Sequence, residues 1–267
     1  MMRLVFAVLM ANFILAGCSE TAKKKNQPII SKVKQPVTSP AQEEVTDPVT
    51  SKKKTYPRIT NQNVVSFLTE YGKENKETII RLSCEYGDID IKLYNNTPLH
   101  RANMIYLTKQ GYFDLTQFYR VSKNFVDQAG NSDEWDCQEK RAQIGGYTIP
   151  SEFNKNNIHK YGAVAMARRY DKNPKKRSSP FEFYISLGRT YNKAEVRATE
   201  KEFGREYNDA QKDIYITKGG NPFLDTKHTV IGEVIKGMDV AKELNKVKVD
   251  KREWPLNEIA ITMKVIR

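Results

Sequence analysis

The chain has 267 residues, of which 44 are Lys or Arg and 32 are Asp or Glu, so its formal net charge is +12 at pH 7. This length is enough for one large domain, or for one ordinary domain with appended segments. The basic residues are scattered, with short runs only at 23–25, 52–54 and 175–177. Because nucleic-acid-binding surfaces need clustered positive charge, we expect no nucleic-acid partner.

The first eighteen residues have the pattern of an exported bacterial lipoprotein. Arg3 precedes an apolar run at 4–15 that is too short to span a bilayer comfortably, and small residues at 16–17 precede Cys18. The pattern resembles a lipobox, which implies a signal peptide at 1–17 and lipid, including palmitate, on Cys18. Two or more acyl chains would anchor the protein stably to a membrane. An ordinary signal peptide with a chance cysteine is the alternative.

The residues after the cysteine bear on where the protein resides. Ser19 stands where an acidic residue is associated, in some bacteria, with retention in the inner membrane. We therefore expect a location in the bacterial cell envelope, anchored to the outer membrane and facing the periplasm. Residues 18–60 are rich in Lys, Gln, Pro, Ser and Thr, which is typical of a disordered tether. A flexible chain of about 40 residues has a mean reach of roughly 30–40 Å.

The first predicted elements lie at 61–111. Within an N-terminal segment at 61–77, apolar residues at helical spacing predict a short helix over 61–73, with Asn61 or Asn63 as its N-cap. Alternating apolar residues then predict a hairpin of strands 78–85 and 88–94. Thr97-Pro98 begins the next predicted helix, with the threonine as cap and the proline at the first position, and Gly111 ends it.

The middle of the chain reads as strands and loops. We predict one strand over 118–130, followed by a polar loop through Gly145-Gly146. Two further strands, at 161–168 and 180–187, flank a charged loop at 169–178. The export signal permits a disulfide between Cys84 and Cys137, but spacing alone does not show that they meet, and we expect two free thiols.

The last third of the chain begins with a change of pattern. At 189–218 apolar residues share one helical face among many charges, which predicts a surface helix of two to four turns; these residues are Val196, Phe203, Tyr207 and Ala210. A strand at 228–234, a helix from 238 to about 246 and a strand at 258–265 follow. Many short strands with few helices are typical of a mainly β fold, either a closed antiparallel barrel or a sandwich.

The stretch 118–130 carries the most informative chemistry. It sets one fixed cation, Arg120, and one amide, Gln128, among aromatic and aliphatic side chains. Such a group can bind a neutral carbonyl, but it contains no nucleophile and no acid–base pair, so a reaction that needs proton transfer is not favoured. By itself the pattern predicts only a strand with an outward-facing arginine.

The order of segments over 78–267 resembles the cyclophilins, the barrel-type peptidyl-prolyl cis/trans isomerases. The resemblance rests on the hairpin, on the Thr97-Pro98 helix, and on the motifs GYFD at 111–114, FYRV at 118–121, FVDQAG at 125–130, GAVAMAR at 162–168, FYI at 183–185 and LDTKH at 224–228. It implies a closed eight-stranded antiparallel barrel capped by two helices. The segment 61–77 would then be an extra N-terminal helix, and 189–218 a helical insertion.

The resemblance also implies a site, on the outer face of the barrel, that needs no cofactor and no metal. Arg120 matches the family's catalytic arginine, which would donate a hydrogen bond to the proline nitrogen of a twisted X-Pro bond. The other matched positions would bind the substrate: Phe125, Val126, Gln128, Ala167, Arg168, Glu182, Tyr184, Phe223, Leu224 and His228.

Three departures from the family pattern affect this interpretation. Glu182 stands where the family usually has glutamine, and we expect its charge to lie near Arg120, where a tight pair would immobilise the guanidinium. Phe223 replaces a tryptophan that many eukaryotic members carry. The loop at 169–179 and the insertion at 189–218 are longer than usual and flank the site, so they are candidates for a lid or a partner surface.

Two functional hypotheses follow, with polypeptides that contain X-Pro bonds as the partner in both. The first is a lipid-anchored isomerase that assists the folding of exported proteins. The alternative is a binding module that holds Pro-containing segments, or an envelope partner, without turning them over. A plain structural lipoprotein tether is a third reading.

Overall fold

The computed structural model describes residues 55–267, so the predicted signal peptide, Cys18 and most of the predicted tether lie outside the described residues. Within this part the strands are β1 Ile59–Thr60, β2 Ile79–Cys84, β3 Gly87–Leu93, β4 Thr116–Ser122, β5 Val126–Asn131, β6 Gly145–Gly146, β7 Ala163–Met166, β8 Phe183–Ser186, β9 Val230–Lys236 and β10 Ala260–Val265. The α-helices are α1 Val64–Glu74, α2 Pro98–Lys109, α3 Trp135–Ile144, α4 Lys193–Phe203, α5 Asp209–Thr217 and α6 Met238–Leu244.

Eight of these strands form a closed antiparallel barrel in the order β10-β2-β3-β9-β7-β8-β5-β4. Closure comes from β10, which pairs with β2 along one side and with β4 along the other. Alternate residues of each strand, such as Ile80, Leu82, Ile89 and Ile91, are fully buried in the barrel interior. Helix α2 packs against α1 and β10, and α6 packs against β3. The predicted mainly β fold, a closed eight-stranded barrel with capping helices, is confirmed.

Helix α2 begins at Pro98 with Thr97 at the N-cap position, as predicted, but the Thr97 side chain does not cap the helix. The Thr97 hydroxyl donates to the Tyr94 carbonyl instead of accepting from the first turn of the helix. Its place is taken by the Glu152 carboxylate, which accepts from the backbone N–H groups of Leu99 and His100, both at 3.0 Å. A negative charge at this end also interacts favourably with the helix dipole.

The stretch 118–130 is a hairpin rather than the single strand predicted. β4 ends at Ser122 and β5 begins at Val126, and the turn between them closes with a hydrogen bond from Phe125 N to Ser122 O. Asn124 adopts φ 57° in this turn. Asparagine tolerates this left-handed conformation better than most residues, which is why the chain reverses here.

A second correction concerns the polar loop predicted up to Gly145-Gly146, most of which is helix α3. Only Cys137 and Ile144 of this helix are buried, so its sequence lacks the apolar stripe that marks an amphipathic helix. Gly145, at φ 137°, ends the helix and begins β6. Cys137 and Cys84 are both free thiols, as predicted.

The folded part begins earlier than the predicted end of the tether at residue 60. β1 pairs in parallel with β6, and Ile59 is fully buried. The Asn63 side chain accepts a hydrogen bond from Thr60 N at 2.7 Å, so it fixes the entry to α1 without capping the helix. This packing could not be predicted from the sequence, because β1 contributes a single large apolar side chain and the residues before it are mostly Lys and Thr.

The insertion contains two helices, α4 and α5, where one was predicted. Each starts with a capping box, formed by Asn192 with Glu195 and by Asn208 with Gln211, and Gly204 at φ 60° ends the first helix. The predicted inward residues Val196 and Tyr207 are buried, Phe203 is half-buried, and Ala210 is exposed. Val196 and Tyr207 form a small core with Ile158 and Tyr215. None of the helices within 55–267 is long and apolar enough to cross a bilayer.

Candidate active site

A cavity of about 290 Å³ lies on the outer face of the barrel, over strands β4, β5 and β8. Its position follows from strand alternation. On β8, Phe183 and Ile185 belong to the barrel interior, whereas Tyr184 belongs to a second apolar cluster together with Leu224 and Val126. Side chains on one strand point alternately to opposite faces, so the same three strands build the core and the cavity.

Nine of the eleven predicted site residues line this cavity: Arg120, Phe125, Val126, Gln128, Ala167, Arg168, Tyr184, Leu224 and His228. Two do not. Phe223 stacks behind Phe125, with ring centroids 5.6 Å apart and an interplanar angle of 23°, so it supports the wall from outside. Glu182 lies instead in a neighbouring surface depression with Arg141 and Arg177.

Arg120 sits at the rim of the cavity with 36% of its side chain exposed, and its guanidinium carbon is 5.7 Å from the centre of the Phe125 ring. Its Nε and Nη2 lie 2.8 and 2.7 Å from Oε2 of Glu253. Among the described residues Nη1 makes no hydrogen bond. The guanidinium is therefore oriented on one edge and open on the other.

Glu253 is a site residue that the sequence reasoning missed. Its other carboxylate oxygen accepts from the Ser122 hydroxyl at 2.6 Å. This hydrogen bond, with that of Arg120, holds the pKa of Glu253 below its usual range. The residue adopts φ 65° in the turn before β10. Glu253 is 133 residues away from Arg120 in the chain and lies in a polar turn, so no nearby sequence pattern indicates that the two residues pair.

The tight pair considered between Glu182 and Arg120 is not formed, because each of the two has another partner. Glu182 Oε1 lies 3.2 Å from Arg141 Nη2, and the Arg141 guanidinium stacks over the Phe181 ring with its carbon 4.6 Å from the ring centre. Arg141 belongs to α3, the helix read as a loop from the sequence. The predicted charge is present, but a neighbouring cation neutralises it.

Gln128 contributes its amide to the cavity lining. Its Nε2 donates to the Tyr119 hydroxyl. Burial is the main cause that raises the pKa of Tyr119, so this hydroxyl remains protonated at neutral pH. The Tyr119 ring packs against the ring of Trp254, the residue after Glu253, with the ring centroids 5.9 Å apart. The amide and the Arg120–Glu253 pair are thus held by one connected set of contacts.

Tyr170 also lines the cavity, and the sequence reasoning did not select it. It lies in the charged loop at 169–178, which does flank the site as expected. The His228 Nδ1 is 3.0 Å from the Met166 carbonyl, so Nδ1 carries the proton and Nε2 accepts from the Tyr170 hydroxyl at 2.7 Å. Burial lowers the pKa of His228 to about 4, so this wall is uncharged at neutral pH.

A buried polar network lies behind the floor of the cavity. The Tyr184 hydroxyl is 3.0 Å from His159 Nε2, and His159 Nδ1 is 2.7 Å from Asp225 Oδ1. The other Asp225 oxygen accepts from Tyr207 and Tyr215 of the insertion, both at 2.7 Å. Although burial opposes it, the hydrogen bond with His159, the charge of Arg205 and the Tyr215 hydroxyl keep the pKa of Asp225 low. The insertion is therefore tied to the cavity floor.

The lining determines what the cavity can bind. Its walls are aromatic and aliphatic. Among the described residues that line it there is no carboxylate and no Ser, Cys or Lys, and the cations are Arg120 and Arg168. An apolar hollow with few polar groups at one edge suits a neutral cyclic group next to a hydrogen-bond acceptor.

Comparison with known proteins gives a consistent result. Residues 79–265 match the family model described as cyclophilin type peptidyl-prolyl cis-trans isomerase/CLD. A protein of Staphylococcus aureus (strain COL), provisionally assigned as a peptidyl-prolyl cis-trans isomerase, is 30% identical over 176 residues, which are 66% of this chain and 84% of that protein. A protein of Staphylococcus saprophyticus with the same provisional assignment is 28% identical over the same shares.

Two solved structures match this chain at lower sequence identity. A cyclophilin-type peptidyl-prolyl cis-trans isomerase of Cryptosporidium parvum, crystallised in the presence of the dipeptide Ala-Pro, is 20% identical with a TM-score of 0.49, over 71% of this chain and 99% of that one. The cyclophilin AquaCyp293 of Hirschia baltica is 16% identical with a TM-score of 0.49, over 72% of this chain and 75% of that one.

Proposed function

The chain belongs to the cyclophilin-type peptidyl-prolyl cis-trans isomerases, and we propose that it assists the folding of exported proteins by twisting X-Pro bonds against Arg120. The observation that carries the proposal is the position of Arg120. It is a half-exposed guanidinium, held by Glu253 on one edge and open on the other, at the rim of an apolar cavity.

The chemistry needs little from the protein. Rotation about a peptide bond breaks amide conjugation and has a barrier of about 18–20 kcal/mol, so X-Pro exchange is slow without a catalyst. In the twisted state the proline nitrogen regains its lone pair and becomes an acceptor. A hydrogen bond from Arg120 to that nitrogen is stronger in the transition state than in the ground state, which is the requirement for acceleration.

The remaining residues would bind the substrate. Phe125, Tyr184 and Leu224 offer apolar surface to the pyrrolidine ring, and the Gln128 amide is positioned for the carbonyl next to it. The His159–Asp225 network fixes the Tyr184 hydroxyl below the ring. A preorganised pocket of this kind lowers the entropy cost of holding the proline while the rest of the chain turns.

The test is a comparison of isomerisation rates between the parent and Arg120→Ala, measured by NMR exchange on a short Ala-Pro peptide. Loss of one preorganised donor predicts a fall in kcat/KM of about a hundredfold to a thousandfold. Arg197→Ala, which removes an exposed arginine from α4, is the matched control and should retain parental activity. Equal activity in Arg120→Ala and the parent would remove the assigned mechanism.

A binding module without turnover is the second candidate, and the Arg120–Glu253 pair is the observation that favours it, since the pair occupies part of the guanidinium. The same assay separates the two. Turnover that is lost in Arg120→Ala supports the enzyme, whereas peptide binding without exchange supports the module. Because Glu182 pairs with Arg141, we expect Glu182→Gln to change the rate less than threefold, which is about 0.7 kcal/mol.

We propose further that Cys18 is lipidated and that the protein is anchored in the cell envelope, facing the periplasm from the outer membrane. The lipobox-like residues 15–18 and the Pro- and Lys-rich segment after them support this. Metabolic labelling with a radioactive fatty acid should mark the full chain but not Cys18→Ala, and membrane fractionation should recover it with the outer membrane. Labelling of Cys18→Ala would contradict the proposal.

A further inference from the structure

A second cavity, of about 340 Å³, adjoins the proposed proline cavity and shares one wall with it. His228 lines both. The second cavity lies between the 153–157 loop and the C-terminal end of α4 in the insertion, and its lining includes Phe153, Lys155, Phe203, Arg205 and Val230. A polypeptide whose proline occupies the first cavity can therefore extend past His228 into the second.

Two aromatic rings from separate segments provide its apolar surface. Phe153 is 40% exposed, and Phe203 is half-buried at the last position of α4. A lysine ammonium group lies over each ring. Lys227 Nζ is 4.1 Å from the centre of the Phe203 ring, and Lys176 Nζ is 5.7 Å from the centre of the Phe153 ring. The cavity thus offers aromatic walls, with more lysines around it than carboxylates, since Glu206 is the one acidic residue among the described lining residues.

The outer wall is held in place by polar contacts with the barrel. Arg205 Nη2 and Gln211 Nε2 both donate to the Lys155 carbonyl, at 2.9 and 2.8 Å. The Arg205 side chain is only 10% exposed and lies 3.8 Å from Asp225, in the network that reaches Tyr184. Because these contacts fix the insertion against the 153–157 loop, the cavity does not depend on binding to form.

We propose that this second cavity is a specificity subsite, which takes an aromatic side chain of the same polypeptide that places its proline against Arg120. The proposal rests on the proposed isomerase function and deepens it by naming a substrate class. Phe153 and Phe203 provide the apolar contact for the guest ring. Lys155 in the lining, with Lys176 and Lys227 over the two rings, outnumbers the one carboxylate of the lining, Glu206, so the net positive charge disfavours a Lys or Arg side chain at the same position.

The test uses the full chain and a series of blocked Ala-rich peptides with one proline. A guest Phe, Leu, Ala or Lys is moved from three residues before the proline to three residues after it. Dissociation constants come from calorimetry, and exchange rates come from NMR. At one guest position Phe should bind about tenfold more tightly than Ala and should raise kcat/KM by a similar factor, as partial burial of an aromatic ring provides, and Lys should bind less tightly than Ala.

Two variants locate the preference. Phe153→Ala and Phe203→Ala should each reduce the Phe-to-Ala ratio to about twofold or less, because each removes one aromatic wall. Tyr86→Ala is the matched control, since Tyr86 is also 40% exposed but lies in the turn between β2 and β3. It should retain the full ratio.

The outcomes separate the subsite from the catalytic proposal. Turnover of all peptides with no guest preference, or a preference that survives in both Phe variants, overturns the subsite and leaves the isomerase function standing. A guest preference in binding that depends on Phe153, without any exchange, supports the subsite and overturns the isomerase function. Absence of binding by every peptide overturns both.

Discussion

Asp127, a buried carboxyl on β5, gives a test of how the stability of the protein depends on pH. It lies on β5 between Val126 and Gln128, which face the cavity, so its own side chain points away from the cavity, and it is fully buried. One carboxylate oxygen accepts from Asn245 Nδ2 at 2.6 Å, and the other has no hydrogen-bond partner among the described residues. Burial raises the pKa of Asp127 to about 8, so the folded protein holds this carboxyl neutral at pH 7.

The sign of the pH effect follows from linkage. Between the unfolded value of 3.8 and the folded value of about 8 the native state binds one more proton than the unfolded state, so the free energy of unfolding falls as pH rises. His228 acts in the opposite direction up to its unfolded value of 6.5, because its folded pKa is lowered to about 4. Above pH 6.5 the Asp127 effect remains, and we expect a loss of roughly 1.5–2 kcal/mol between pH 6.5 and 8.

Asp127→Asn should remove this dependence, because the amide has the same shape and does not ionise. Urea unfolding of the full chain at pH 6.5 and 8 measures it. The difference in unfolding free energy between the variant and the parent should shift in favour of the variant by roughly 1.5–2 kcal/mol over that interval. Asp133→Asn, which removes an equal charge from an exposed position, should show no such shift. Parallel pH profiles for Asp127→Asn and the parent would refute the reasoning.

Three further predictions concern the site and its frame. Glu253→Ala should lower kcat/KM about three- to tenfold, because the pair orients Arg120; a rise in the same exchange assay would mean that the pair blocks the guanidinium. Ile59→Ala should cost about 2–4 kcal/mol in urea unfolding, since the side chain is fully buried, whereas a residue in a disordered tether would cost nothing. Gly130→Ala should cost about 3 kcal/mol or more, because an added Cβ would lie 2.1 Å from the Phe181 carbonyl oxygen at φ 95°; unchanged thermal unfolding would contradict this.

The barrel and most of the cavity could be predicted because their signals are local. The alternation of Ile89 and Ile91 with charged residues marks a strand with one buried face, and the same alternation places Val126 and Gln128 together on the opposite face of β5. The order of the short motifs that resemble the cyclophilins then predicts which strands pair in the barrel. For these residues, the sequence pattern and the tertiary contacts specify the same arrangement.

The remainder depends on contacts that no local pattern encodes. Glu253 reaches Arg120 across 133 residues, and Glu152 caps α2 across 52 or more, so neither role is visible in the neighbouring sequence. Helix α3 buries only two side chains, so its sequence resembles a polar loop. Because the helix was not predicted, its residue Arg141 was not considered as the partner of Glu182. Tyr170 was missed because an exposed aromatic in a charged loop has no periodic context.

Barrel closure has a consequence for a protein proposed to work among incompletely folded chains. Each of the eight barrel strands pairs with a neighbour on both sides, so no barrel strand has a whole edge of unpaired amides and carbonyls. A client segment in an extended conformation can dock its proline on the outer surface, but it has no edge along which to add itself as a ninth strand. Closure of the barrel therefore disfavours capture of a client by strand addition, which is the contact that seeds cross-β aggregates.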